Sequence, residues 1–308
     1  MLEINKKTGE NLIWIGTQAL IQLKQQSKNI SLRAIRIFSK NSGAYLSPFK
    51  GRGMEFDESR PYQAGDDARN LDWRTMARTG KPYTKIFREE RERNVMFFID
   101  FRNNMQFATQ GVFKSVLASQ AAAILAWSAN KQGDRIGALA FGGEQHSEIR
   151  PKQGKHALLN LVGLVSRYSQ AKAMPNQAGQ FNRALLRLRH VTKPGSLVFL
   201  ISDFRGLEGA AEQHLGELSR HNDLVLIHIY DALEQKLPPP GMYAFTDGKQ
   251  DYCINTRNYK GQRNYQQRFK DHLILLNKLC LKYRMHLISC QTHQDISQIL
   301  TQEFGRKK

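Results

Sequence analysis

The stretch Val95-Met-Phe-Phe-Ile-Asp100-Phe-Arg-Asn-Asn-Met105 decides the fold. Five apolar residues run into an aspartate, polar residues follow, and a helical pattern starts beyond them. A run bounded in this way reads as a buried parallel strand ending at a loop. Ligands of open α/β sheets bind at the loops beyond the carboxyl ends of strands. Asp100 therefore stands where function is expected.

Downstream the alternation is regular. Strand 95–100 leads to helix 113–131, strand 135–141, a short extended segment 148–151 and helices 154–168 and 180–190. Strand 196–202 then reaches Asp203, helix 207–221 follows, and strand 223–230 ends at Asp231. The stop Pro238-Pro-Pro-Gly241 precedes a hairpin excursion within 238–258. Helix 259–283, strand 285–289 and helix 294–304 close the chain. Strands alternating with helices of this length imply a doubly wound, mainly parallel sheet.

Upstream, residues 10–38 carry apolar residues at helical spacing and read as two helices or one broken one. No acidic residue occurs between Asn11 and Met54, whereas Lys24, Lys28, Arg33, Arg36, Lys40, Lys50 and Arg52 do. Such a segment is either a solvated helix face or a docking surface for something acidic. The expected organisation is a basic N-terminal helical arm (1–50), a charged segment (51–94) and an α/β domain (95–308).

The chain has 308 residues, 41% of them hydrophobic, and a formal charge of +19. That content supports a sizeable core, and the charge favours an anionic partner: nucleic acid, an anionic membrane face or an acidic protein. Cys253, Cys280 and Cys290 lack CxxC spacing, and no signal-peptide pattern opens the chain, so cytoplasmic, reduced thiols are expected. The basic arm makes peripheral attachment to the inner membrane an alternative.

Six short motifs follow one another closely: Gly53-Met-Glu55-Phe, Arg60-Pro-Tyr62, Gly65-Asp66-Asp67-Ala-Arg69, Leu71-Asp72-Trp73, Ala77-Arg78-Thr-Gly80 and Lys85-Ile-Phe-Arg-Glu-Glu90. Together they resemble the signature of the domain of unknown function 58 family. The resemblance implies a fold of von Willebrand factor A (vWA) type. It also implies an accessory or adaptor role beside a MoxR-type AAA+ ATPase, acting on a protein client. Physically, the Arg–Asp density of 60–78 suits either an internal lock on an irregular segment or an exposed surface with Tyr62 and Trp73 as anchors.

Metal-binding vWA domains use an Asp-x-Ser-x-Ser adhesion loop after the first strand, with a Thr and a second Asp from later loops. Here Asp100 and Asp203 match the two aspartates, but Arg102 and Asn104 stand where the serines belong. No threonine lies between Gln110 and Val191. A fixed positive charge at Arg102 repels Mg²⁺. Two expectations follow: Arg102 replaces the cation and bridges Asp100 and Asp203, or it points to solvent while both aspartates cap helices. A retained Mg²⁺ on Asp100 and Asp203 is disfavoured, and no other cofactor is expected.

No nucleophile elbow, HExxH, P-loop or GxGxxG occurs in a suitable strand–helix context, so no enzyme activity is expected. The rival to an adaptor is a basic protein that binds nucleic acid or an anionic membrane through its N-terminal arm. The basic residues Arg257, Lys260, Arg263, Arg268, Lys270, Lys278, Lys282 and Arg284 would form a second patch.

Overall fold

Two compact units make up the chain: Met1–Lys40 with Arg93–Lys308, and Asn41–Glu92. The computed structural model describes residues 9–32, 54–89, 92–143, 145–171, 177–246 and 251–305. The larger unit begins with α1 (Thr17–Gln22) and a 3₁₀ turn over Leu23–Asn29. The smaller unit is an antiparallel ribbon of β1 (Met54–Pro61) and β2 (Tyr83–Glu89), with α2 (Trp73–Thr79) in the connection. Period-two alternation over Pro82–Arg88 predicts the second of its strands but not the first. A two-stranded ribbon carries little core, so β1 has no need of the apolar alternation that betrays a buried strand.

In the larger unit β3 (Asn94–Asp100) leads to α3 (Lys114–Lys131), β4 (Arg135–Gly142), β5 (Gln145–Lys152), α4 (Lys155–Gln170) and α5 (Gln180–Val191). Then come β6 (Leu197–Ser202), α6 (Ala210–Ser219), β7 (Asp223–Tyr230) and the short α7 (Ala232–Gln235). The expected hairpin is β8 (Met242–Thr246) with β9 (Asp251–Asn255). The long α8 (Tyr259–Tyr283), β10 (His286–Gln291) and α9 (Ile296–Phe304) follow. Strand order is β10-β7-β6-β3-β4-β5, parallel throughout except for β5, which runs antiparallel to β4. This is the doubly wound, mainly parallel α/β fold that the alternation implies.

Because side chains alternate along each strand, the sheet has two apolar faces. Val95, Phe97 and Ile99 of β3 join one core with α3, α4 and α9. Met96 and Phe98 join the other, with α5, α6 and α8. A helix apolar on all sides must be covered on all sides, and α3 is: almost every residue from Lys114 to Ala129 is buried.

Residues 9–32 supply the outer cover of α3. Leu20 and Leu23 are buried in the same core, Trp127 Nε1 donates to Leu20 O (3.2 Å), and Ser128 Oγ donates to Ile30 O (2.9 Å). This corrects the boundary expected at residue 50, because the N-terminal segment is part of the α/β unit. Its helix is also shorter than the spacing suggested. Of the segment's basic residues, Arg33, Arg36, Lys40, Lys50 and Arg52 lie outside the described residues.

Candidate functional site

From β3 the chain passes outward through β4 and β5, then returns to the other side of β3 to form β6. The strand order therefore reverses between β3 and β6, and that is where an open α/β sheet leaves its ligand crevice. Asp100 ends β3, and Asp203 follows directly on β6. Both are buried.

Arg102 turns back onto Asp100. Its Nε lies 3.0 and 3.1 Å from the two carboxylate oxygens, and its Nη2 lies 2.7 Å from Oδ2. The same Nη2 reaches Asp203 Oδ1 at 3.5 Å, and Nη1 donates to Arg205 O at 3.0 Å. Of the two expectations for Arg102, bridging is the observed one. The guanidinium also sits 4.8 Å from the Phe181 ring centre and 5.7 Å from that of Phe141, which fixes its plane. Ser202 Oγ donates to Asp100 Oδ2 at 2.6 Å, and Asn104 Nδ2 donates to Asp203.

A second cation enters that the sequence reading missed. Lys114, fully buried at the start of α3, places Nζ 3.2 Å from Asp203 Oδ2 and 2.8 Å from Glu234 Oε1. Arg205 Nη2 meets the same Glu234 oxygen at 2.6 Å. Three carboxylates (Asp100, Asp203, Glu234) thus face three cations (Arg102, Lys114, Arg205). A lysine in the first turn opposes the helix dipole, and that anomaly was the signal available in the sequence.

The charges set the protonation states. Burial alone would raise the pKa of Asp203. Lys114, Arg102 and Arg205 outweigh it and hold the carboxyl down to about 2. Burial likewise works against the charge on Arg102, but Asp100 and Asp203 push its pKa above the ordinary value. Asp231, at the end of β7, caps α7 in a capping box and accepts from Thr109 N (2.9 Å) and Thr292 Oγ1 (2.7 Å). It holds loops together.

A hard divalent cation needs several oxygen ligands with positions left for water. Two and four residues past Asp100 this chain offers a guanidinium and an amide donor, and both aspartates already face cations. This donor set does not fit Mg²⁺. Among the described residues no group of three or more His, Cys, Asp or Glu side chains is placed to hold a metal.

The signature residues divide by role within the smaller unit. Asp72 caps α2 through Thr75 N (3.2 Å) and accepts from Ser59 Oγ (2.6 Å) and Thr75 Oγ1 (2.8 Å). The Ser59 hydroxyl and then Thr75 lower its pKa to about 2. Asp66 takes Gln63 N (2.9 Å), Arg60 Nη2 (2.6 Å) and Thr84 Oγ1 (3.2 Å), with the Gln63 amide and then Arg60 lowering its pKa. Asp67 caps the 3₁₀ turn at Ala68–Asn70 by accepting from Arg69 N. Gly65 and Gly80 have positive φ, at 107° and 69°, where Gly80 ends α2 in the left-handed conformation.

These contacts are the internal lock. Tyr62, Arg69, Trp73 and Arg78 instead face outward, Trp73 with 62% of its surface exposed. Lys85 is half-buried, and the side chain of Glu55 lies outside the described residues. Both readings of the segment thus have their own residues.

Among the described residues no helix is long and apolar enough to cross a membrane. Uncharacterized proteins of Mycobacterium tuberculosis and Mycobacterium bovis are 28% identical over 207 residues, 67% of this chain. The chain spans 64% of the length of these curated relatives. Among solved structures, BatB from Bacteroides thetaiotaomicron is similar at 12% identity and a TM-score of 0.41, covering 68% of this chain and 98% of that one. A von Willebrand factor type A protein from Catenulispora acidiphila is similar at 12% identity and a TM-score of 0.33, over 48% of this chain and 35% of that one. A family model matches residues 58–273, spanning the last five of the six motifs and the strand-end site, and the chain therefore belongs to the family described as Protein of unknown function DUF58.

Proposed function

We propose that this chain is a non-enzymatic, vWA-like adaptor whose strand-end face binds a protein partner through a fixed-cation site in place of a metal. The carrying observation is the Arg102 guanidinium lying between Asp100 and Asp203. In a metal-dependent adhesion site the cation completes its shell with a partner's carboxylate. Here positive charge is covalently fixed, so recognition needs no ion. At the switch point the Ser202 hydroxyl donates to Asp100, but both are fully buried and Arg102 holds the carboxylate, which favours binding over catalysis.

The resemblance supplies the partner class, a MoxR-type AAA+ ATPase acting on a protein client in maturation or remodelling. Outward aromatic residues such as Trp73 and Tyr62 suit a protein interface.

Two measurements test the reading. Co-purification with a MoxR-type ATPase should survive nuclease and moderate salt, and arbitrary DNA should bind weakly. DNA affinity that falls steeply with salt, without ATPase capture, would favour the nucleic-acid alternative. Calorimetric titration of the intact protein with MgCl₂ or MnCl₂ should give no site-specific heat. Tight, stoichiometric binding would overturn the fixed-cation site.

A further inference from the structure

A cavity of about 350 Å³ opens between the carboxyl end of β7 and the side of α8, next to Asp203. Its floor is His228 and Tyr230, alternate residues that share one face of β7, with rings stacked 5.2 Å apart at 14°. One wall is Tyr265, Phe269 and His272, which helical spacing places on one face of α8. Phe269 lies 5.1 Å from Tyr230 with the ring planes at 47°, so the two rings touch and form one continuous aromatic surface of the cavity. Small-molecule pockets run from about 300 to 1,000 Å³. This one is at the low end, with room for one ring and a short substituent.

The polar groups narrow the ligand further. Arg268 lines the cavity from the exposed side of α8 and has no carboxylate partner among the described residues. Asp203 and Glu234 also line it, but Lys114 and Arg205 already neutralise them. The uncommitted charge is therefore positive and single. A doubly charged anion such as phosphate would meet the two lining carboxylates at close range, whereas one planar carboxylate matches the fork of one arginine.

His228 is 1% exposed, and its Nδ1 has no hydrogen-bond partner in the protein. Burial pushes its pKa down to about 3, so near neutral pH it is an uncharged imidazole on the cavity floor. A buried polar atom left unpaired is costly, and a ligand that pairs with it recovers that cost.

We propose that this cavity binds a compact aromatic carboxylate, its ring packed on the surface formed by Tyr230 and Phe269 and its carboxylate on Arg268. The same chemistry has two sources, a free aromatic acid or the carboxyl terminus of a polypeptide ending in an aromatic residue. The inference does not depend on the ATPase reading, because the occupant is tested in the isolated full-length chain.

The experiment is a titration of that chain with phenylacetate, 4-hydroxybenzoate, indole-3-acetate and a short peptide ending in a phenylalanine carboxylate, each beside its neutral amide. Binding is followed by amide resonance shifts of α8 and by calorimetry. At least one acid should bind and perturb the turn around Arg268–His272, with its amide weaker by about tenfold or more. Arg268→Gln should weaken that acid by about tenfold and leave thermal unfolding unchanged. Stronger binding by the peptide than by the free acids assigns a chain terminus, and the reverse assigns a small molecule. If none of the four acids shifts these resonances at millimolar concentration, the proposal falls. It falls equally if the amides match the acids, or if Arg268→Gln leaves affinity intact.

Discussion

The strands that flank the switch point end in the same tripeptide, Asp100-Phe101-Arg102 on β3 and Asp203-Phe204-Arg205 on β6, yet the two arginines have opposite fates. Both tripeptides start alike, with the arginine N–H donating to the aspartate Oδ1, at 2.9 Å in one and 3.1 Å in the other. Beyond that they diverge. The Arg102 side chain is 8% exposed and chelates its own Asp100, whereas that of Arg205 is 58% exposed and reaches across to Glu234.

Register explains the divergence. Ile99 pairs with Ile201, so Asp100 is level with Ser202 and the second tripeptide lies one residue further along. A one-residue offset moves each side chain to the opposite face. Phe101 joins the core of α3 and α4, while Phe204, with φ of 56°, joins the core of α5 and α6. Arg102 is thereby directed onto Phe181 and Asp100, and Arg205 is left at the rim. Identical local sequence yields a clamp in one place and an accessible cation in the other.

The largest effect should come from breaking the clamp. Arg102→Met leaves Asp100 buried without its partner, and such a loss costs about 3–5 kcal/mol. Urea unfolding of the purified chain measures it. Arg102→Lys should recover only part of the loss, because an ammonium cannot span both carboxylate oxygens as the guanidinium fork does. A cost below about 1 kcal/mol, the range of surface pairs, would erase the distinction between the two strand ends.

Acid separates the buried groups next. His228 has a folded pKa of about 3 against 6.5 in the unfolded chain. The unfolded state binds the proton first, so this stability is whole above pH 6.5 and is lost as pH falls toward 3. Asp203 has a folded pKa of about 2 against 3.8, so its contribution is whole above 3.8 and is lost between 3.8 and 2. Stability should therefore decline in two stages. In the upper stage His228→Phe should flatten the slope by about 1.4 kcal/mol per pH unit. Unchanged slopes between pH 6 and 4 would show that His228 takes up its proton without unfolding.

How much of this could be read from the chain depends on range. The four inner strands of the sheet were legible because burial on both faces demands unbroken apolar runs such as Val95–Ile99, whereas the exposed edge strand β5 showed only as a short segment. Asp100, Asp203 and the bridging Arg102 were legible because strand ends locate them. Lys114 was not, since it meets Asp203 only through the packing of α3 against the sheet, 89 residues away in sequence. The docking of residues 9–32 was half-written in α3, whose apolar residues surround it on every side and so required a cover. The repeated Asp-Phe-Arg is plain in the sequence, but its meaning is not. The one-residue offset that separates the two arginines exists only once β3 and β6 are paired.

The smallest expected effect is the mirror of the first. Arg205→Met removes an exposed cation 2.6 Å from Glu234 and 3.7 Å from Asp203. Solvent screens it, and surface pairs are worth at most about 1 kcal/mol. Glu234 keeps Lys114 at 2.8 Å, and Asp203 keeps both Lys114 and Arg102, so no buried charge is orphaned. Stability near neutral pH should change little. The acid limb assigned to Asp203 should shift slightly toward higher pH, because one of the three cations holding its pKa down is gone. A loss comparable to that of Arg102→Met would mean that the rim arginine is as desolvated as the inner one, and that register does not decide what these two residues do.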